Sequence, residues 1–246
     1  MDINAVCEKR EQAEILAGIS GIGHIFHPGN TMPYVFRNEN ASRCRGFLSE
    51  PDLLIRNPDE IGFLKENGYS GRIYADHTLY TFNKASRDML RAWGITGDTA
   101  PLELNYRELK LRGMADSELM IYGRVPMMIT AGCVLKNSQN DKCEKDIEHG
   151  QDIILTDRLN SGFPVICCCR YCYNIILNSV PLSLHGHLDK VKALDPGSLR
   201  LYFTTENEQE TRQTAEFYIR ALRDEVSDNM PPFRDYTNGH FIKGAA

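Results

Sequence analysis

A repeated pattern restricts this chain more than any other feature: a short apolar stretch, then at once a helix with a cap and a stop. "DLLI" at 52–55 runs into Asn57-Pro58. Asn57 is suited to cap a helix whose first residue is Pro58, and "PDEIGFLKENG" ends on glycine. "RIYADHTLYTFN" (72–83) reads as strand and "KASRDMLRAWG" as a helix stopped by glycine. "APLELN" (100–105) reads as a third short strand before the helix "YRELKLRG", and "SELMIYGRVPMMIT" (117–130) as a fourth strand region. Further on, the strand "SLRLYFTTE" (198–206) precedes a long amphipathic helix, "NEQETRQTAEFYIRALRDEV". Residues 5–17 read as helical, and 18–46, rich in Gly and Asn, carry no assignable pattern.

Strands alternating with helices of about ten residues are the pattern of βαβ units and a parallel sheet. Helices covering both faces of such a sheet suit the nearly continuous apolar runs. About five units are visible, where a closed barrel of this type needs eight. The expected class is therefore α/β, as an open sheet or a partial TIM-type barrel whose first strands lie elsewhere. An incomplete barrel would leave sheet edges unpaired. A missing N-terminal barrel portion, a partner chain or a homo-oligomer is expected to cover them. The rhythm breaks between 131 and 190, where "DIILTDRLNSGFPV" reads as a hairpin turning at Asn160-Ser161-Gly162. The expected organisation is an unassigned segment at 1–46 and βα units at 47–130. A Cys-rich hairpin insertion at 131–190 and a final βα unit with its tail at 191–246 complete it.

The 246 residues are enough for a substantial core. The net charge of −5 and the lack of a long basic tract argue against broad, salt-driven nucleic-acid binding. They leave room for an RNA substrate held by a local patch. No apolar run reaches the roughly 18 residues of a membrane span. The opening "MDINAVCEKREQAEIL" is not a signal peptide. The expected compartment is the cytoplasm, where thiols stay reduced and a disulfide knot is disfavoured.

That matters for "FPVICCCRYCYN" (163–174), which holds four of the eight cysteines. Cys169 and Cys172 form a Cys-x-x-Cys, and Cys133 and Cys143 lie upstream. Two separated thiols plus one such pair can supply four sulfur ligands, which suits Zn²⁺ or an iron–sulfur cluster. The wide gap between Cys133 and Cys143 tilts the choice towards a cluster. Buried thiols acting as small apolar side chains, or a redox pair, are the competing readings. Cys167 and Cys168 read as extras, either of which could replace a ligand. Cys7 and Cys44 are isolated and read as packing or surface residues.

Several segments carry a family resemblance. "GRVPMMITAGC", "LTDRLNSGFPV", "CRYCYNIILNSVPLSL" and the final "YTNGHFIKGA" resemble signature segments of the collagenase-like peptidases, catalogued as U-32. "DHTLYTFN" and "LELNYREL" resemble upstream motifs of that family. The likeness runs from about residue 50 to the end. It implies a TIM-type barrel with more strands before this region in full-length members. It also implies one of two activities. The family name comes from degradation of collagen-like peptides. Better-understood relatives carry a [4Fe–4S] cluster on four cysteines and take part in oxygen-independent hydroxylation of RNA bases or of a quinone precursor. Carried over, the cluster falls on Cys133, Cys143, Cys169 and Cys172.

A protease would need a nucleophile and base, or a metal with an open position. The chain has neither a Gly-x-Ser-x-Gly elbow nor a His-Glu-x-x-His, and "GISGIG" is not a phosphate loop. His185 and His187 read as a polar turn before a helix, and His24 and His27 as loop histidines. Strand C-terminal ends build the site in a barrel. By that rule Asp76, His77, Glu103, Asn105, Tyr122 and Arg124 are candidates to line a pocket, or else form a structural polar layer. Asp157-Arg158 reads as an ion pair shaping the hairpin turn. The expected function is an iron–sulfur enzyme or subunit of the hydroxylation type acting on an RNA base or small molecule. The alternatives are a peptidase and a zinc-stabilised interaction module.

Overall fold

In the computed structural model, which describes residues 1–135, 153–223 and 230–245, the chain opens with a strand, and the helix expected over 5–17 forms only at 10–17. β1 (Asp2–Cys7) is followed by α1 (Arg10–Ala17) and β2 (Ile22–Phe26). The misreading has a physical cause. Ala5, Val6 and Cys7 are almost wholly buried between two parallel neighbours, and that tertiary setting overrides local helical pattern.

The next units follow the expected rhythm: β3 (Asp52–Ile55), α2 (Pro58–Glu66), β4 (Arg72–Ala75) and α3 (Lys84–Ala92). β5 is Gly97–Thr99, and no strand forms over 100–105. Pro101 lacks the N–H a ladder needs. α4 (Tyr106–Arg112) leads to β6 (Ser117–Gly123).

The expected strand over 117–130 splits at Gly123, whose φ is +146°. A Cβ there would lie 2.6 Å from the Tyr202 carbonyl oxygen, so only glycine fits. Beyond it, β7 (Pro126–Thr130), β8 (Ile153–Thr156), β9 (Gly162–Cys168) and β10 (Tyr173–Leu177) form an antiparallel sheet of their own, in the order β7-β10-β9-β8. The chain accordingly divides into one unit of Met1–Gly123 with Leu182–Ala246 and a second of Arg124–Pro181. The inserted unit starts and ends earlier than 131–190 because β7 pairs with β10, not with the parallel sheet. At the β8–β9 turn, Asn160 is left-handed (φ 64°) and Asp157 Oδ1 accepts from the Leu159 and Ser161 amides.

β11 (Leu182–Ser183) returns antiparallel to β6, with Leu182 opposite Gly123. α5 (Leu188–Ala193), β12 (Ser198–Phe203) and α6 (Glu208–Leu222) complete the first unit. Its seven parallel strands run in the order β2-β1-β12-β6-β5-β4-β3. The two ends of that order meet: Thr31, just beyond β2, bridges Leu54 of β3. The Met32 amide donates to the Leu54 carbonyl at 2.8 Å and the Leu54 amide to the Asn30 carbonyl at 2.9 Å. The sheet is thus a nearly closed, barrel-like ring. The segment before residue 47 supplies β1 and β2, so the edges expected to lie bare are largely joined within this chain. No described helix is long and apolar enough to cross a membrane.

Asparagines set the helix starts. Asn57, Asn83, Asn105 and Asn207 each cap the helix that follows, with a reciprocal bond from the third helical residue. In α2 that residue is Glu60, which is fully buried. Its Oε2 accepts from the Arg56 and Asn57 amides at 2.8 and 3.1 Å, while Oε1 has no partner. Burial pushes its pKa up to about 8, against the two backbone donors. The folded-state value then lies above the ordinary 4.5. The folded chain keeps a proton that the unfolded chain releases, so stability falls as pH rises from about 4.5 to about 8. Glu60→Gln is expected to flatten that slope. Urea midpoints of both proteins across this window check it, and parallel pH profiles would contradict it.

Candidate functional site

Inside the barrel-like unit, charged side chains from five strands or their ends meet. Arg200 on β12 donates through Nη1 to Asp76 Oδ1 at 2.5 Å and through Nε to Glu118 Oε2 on β6. Arg56, the first residue after β3, donates through Nε to Asp76 Oδ2 at 3.1 Å and through Nη2 to Glu8 Oε1 at 2.7 Å. Tyr202 Oη also donates to Glu8 Oε1, at 2.6 Å. Asn4 Nδ2 reaches Glu118 Oε1 at 2.9 Å and Thr99 Oγ1 reaches its Oε2 at 3.2 Å. The Arg56 guanidinium lies 4.0 Å from the centre of the Tyr34 ring.

Period-two alternation explains the convergence: Glu118 and Arg200 point inward from their strands. Glu8, Arg56 and Asp76 each follow the last residue of a strand, which is where parallel barrels build their sites. Burial opposes the Asp76 charge, but Arg200, His77 and Arg56 outweigh it and hold its carboxyl well below the usual range. Asp76 Oδ1 also receives the His77 amide at 2.8 Å and lies 2.9 Å from His77 Nδ1. A carboxylate at that distance favours the proton on Nδ1, which makes Nε2 the basic nitrogen of the ring. This is the orientation a proton-accepting histidine requires.

The other sequence candidates are employed differently. The strand that placed Glu103 and Asn105 at a strand end is absent. Asn105 Oδ1 instead caps α4 through the Arg107 and Glu108 amides at 2.9 and 3.1 Å. Glu103 lies in the same loop, with Oε2 buried and without a hydrogen-bond partner. Arg124 belongs to the inserted unit, where its Nη1 donates to the carbonyls of Asn178, at 3.0 Å, and Ser179. Tyr122 Oη donates to Glu206 Oε1 at 2.8 Å, and burial with the Glu206 charge raises its pKa. His185 Nδ1 is 2.7 Å from Ser183 Oγ, itself 2.5 Å from Tyr218 Oη, in a buried aromatic setting. His24 is not a loop residue; it lies on β2. Sequence reasoning missed Glu8, Arg56, Glu118 and Arg200, whose only signal is a charge set inside or just after an apolar strand.

The thiols collect in the inserted unit. Alternation along β9 puts Val165 and Cys167 on one face, and Cys169, in the turn just after the strand, joins them in an apolar cluster with Leu135. Cys133 packs against that cluster. Burial, with Cys169 and Cys133 adding to it, pushes the Cys167 thiol up to about 11. Cys168 is half-buried and points to the other face. Cys172 is exposed, in a left-handed conformation (φ 56°), with Sγ 3.8 Å from the Cys169 carbonyl. Cys143 lies outside the described residues, while Cys7 and Cys44 are buried in the first unit. Soft sulfur donors match a thiolate-loving metal or cluster in kind. Among the described residues, no three side chains of His, Cys, Asp or Glu are placed to hold a metal ion together. Cys133, Cys169 and Cys172, all described, are therefore not gathered as three ligands of one centre.

No protein-family model, no curated protein and no solved structure matches this chain.

Removing one partner of a buried ion pair leaves the other charge uncompensated. Arg200→Leu leaves Glu118 without its guanidinium and Asp76 with Arg56 alone as its arginine partner, and is expected to lower stability by about 3–5 kcal/mol. Asn105→Ala, which removes only a cap, should cost about 1 kcal/mol. Denaturant titration of both variants checks the contrast, and equal small losses would show that the network does not hold the barrel together.

Proposed function

We propose that this chain is an iron–sulfur protein of the oxygen-independent hydroxylation type, built on a TIM-type barrel. The one observation that carries the reading is the packing of Cys133 against Cys167 and Cys169, thiols distant in sequence and joined in one cluster. The resemblance to the U-32 family points to two of these, Cys133 and Cys169, together with Cys143 and Cys172. The ligands are drawn from Cys133, Cys143, Cys169 and Cys172, with Cys167 the substitute for the exposed Cys172. Bound there, a [4Fe–4S] cluster would supply single electrons. In the barrel-like unit, Asp76 orients His77 so that Nε2 can take a proton from a substrate. The substrate class is a planar ring, an RNA base or a quinone precursor. The reducing cytoplasm is the compartment such a cluster needs.

Metal and sulfide analysis of protein purified without oxygen tests this. About four iron and four sulfide per chain are expected, with most of both lost in Cys133→Ser and in Cys169→Ser. Comparing Cys167→Ser with Cys172→Ser identifies the remaining ligand. One zinc and no iron would replace the reading with a zinc-stabilised module. Gelatin cleavage that survives Cys133→Ser would replace it with a peptidase.

A further inference from the structure

The segment 230–245 forms no helix and no ladder beyond a single bridge, yet it follows a definite track across the barrel-like unit. Thr237 bridges Leu182 in parallel, and the Ser183 amide donates to the Thr237 carbonyl at 2.8 Å. β6 pairs with β11 through the same two residues. The segment therefore takes the edge of β11 that β6 leaves open. Further along, the Tyr106 amide at the start of α4 donates to the Phe241 carbonyl, also at 2.8 Å. One extended stretch thus spans β11 and the start of α4.

Three rings fasten it. The Phe233 ring centre lies 5.2 Å from that of Tyr122 and 6.0 Å from that of His185. Tyr236 stands edge-on to His185 at 4.6 Å. Phe241 is set deepest, 4% exposed, with the Tyr106 and His187 rings at 6.0 and 6.2 Å. Gly239 fixes the fit by having no side chain. It is left-handed (φ 55°), and a Cβ there would come within 3.0 Å of Leu182 Cδ1. Main-chain bonds to an open strand edge, with side chains entering pockets at set intervals, are how domains take up extended peptides. Here the peptide belongs to the chain itself.

Little holds it down. Among the described residues, the Ser183 and Tyr106 bonds are the backbone bonds that join it to the rest of the unit. Others are internal, such as the Phe241 amide to the Asn238 carbonyl at 3.2 Å and the Gly244 amide to the His240 carbonyl at 2.7 Å. Arg234, Asp235, Gly239, His240, Ile242 and Lys243 are exposed. Each ordered residue costs backbone entropy, and an exposed one returns little for it. A segment with so few anchors opens without unfolding the sheet beneath.

We propose that residues 233–241 are a releasable strap, seated in a peptide-binding groove between β11 and the start of α4 that the same sequence can fill in trans. The partner that fits is an extended peptide with aromatic side chains where Phe233, Tyr236 and Phe241 stand and glycine where Gly239 stands. A second copy of this chain supplies one. The thiol cluster, Asp76 and His77 take no part, so this proposal and the hydroxylation reading can fail separately.

Fluorescence anisotropy of a labelled peptide of residues 230–246, mixed with the full chain, tests it. The strap competes in cis, so the unaltered chain is expected to take the peptide with an apparent dissociation constant above about 1 mM. In the Phe241→Ala chain the strap loses its deepest anchor, and the peptide is expected to bind at least about tenfold more tightly. Peptides carrying Phe241→Ala or Gly239→Val are expected to bind that chain at least about tenfold more weakly than the native peptide. No binding to the Phe241→Ala chain up to about 1 mM would overturn the proposal. So would equal affinity for the two chains, or equal affinity of the three peptides. If the altered chain does not fold, amide hydrogen exchange on the unaltered chain decides. The Ser183 and Tyr106 amides, freed with the strap, are expected to exchange at least about a hundredfold faster than the amide of Leu201, which lies within the β12 ladder. Equal protection at these positions would overturn the proposal.

Discussion

Everything in the first unit depends on one buried guanidinium. Arg200 joins Glu118 on β6 to Asp76 at the end of β4, and Asp76 joins Arg56, which joins Glu8. A charge inside a protein is tolerable only with its counter-charge in place. Because strand side chains alternate, a slip of one residue in any strand turns its charge outward and abandons a partner inside. The network therefore ties the register of β1, β3, β4, β6 and β12 to one another more tightly than apolar packing would.

The same guanidinium divides the interior into two ends of different character. Towards the strand C-termini, the carboxylate of Asp76 holds an imidazole in a fixed orientation. Towards the N-termini, Glu118 is shared with Asn4 and Thr99 at the floor of a hollow. Arg200 touches both ends, so a ligand that drew Glu118 away would change what neutralises Asp76, and with it the field at His77.

Much of the scaffold was legible from residues alone, because its signals are local. Asn57-Pro58 announces a helix start, and the structure uses that cap as chemistry demands. The α/β class followed from alternation. What escaped were features that exist only once distant segments meet. Ala5-Val6-Cys7 is a strand because β2 and β12 flank it, and nothing local says so. The run 100–105 looked extended, yet Pro101 denies it a ladder. In the candidate site, Asp76 and His77 were found by position at a strand end. Arg56 and Arg200 were passed over because a lone arginine beside an apolar run reads as a surface residue. Cys167 read as an extra beside the Cys169–Cys172 pair, yet it is Cys167 that packs with Cys169 and Cys133, while Cys172 is exposed.

The place where the inserted unit leaves the ring has a consequence for the chain's history. Gly123 and Leu182 face each other as register partners in an antiparallel pair. The path out and the path back are therefore two rungs of one ladder, a hairpin's width apart. A tight turn of two to five residues is all that ordinarily bridges such a gap. Everything between them, the thiol cluster included, hangs from the ring as a cassette, so its sequence and length can drift or be exchanged while the strand order of the ring is left intact.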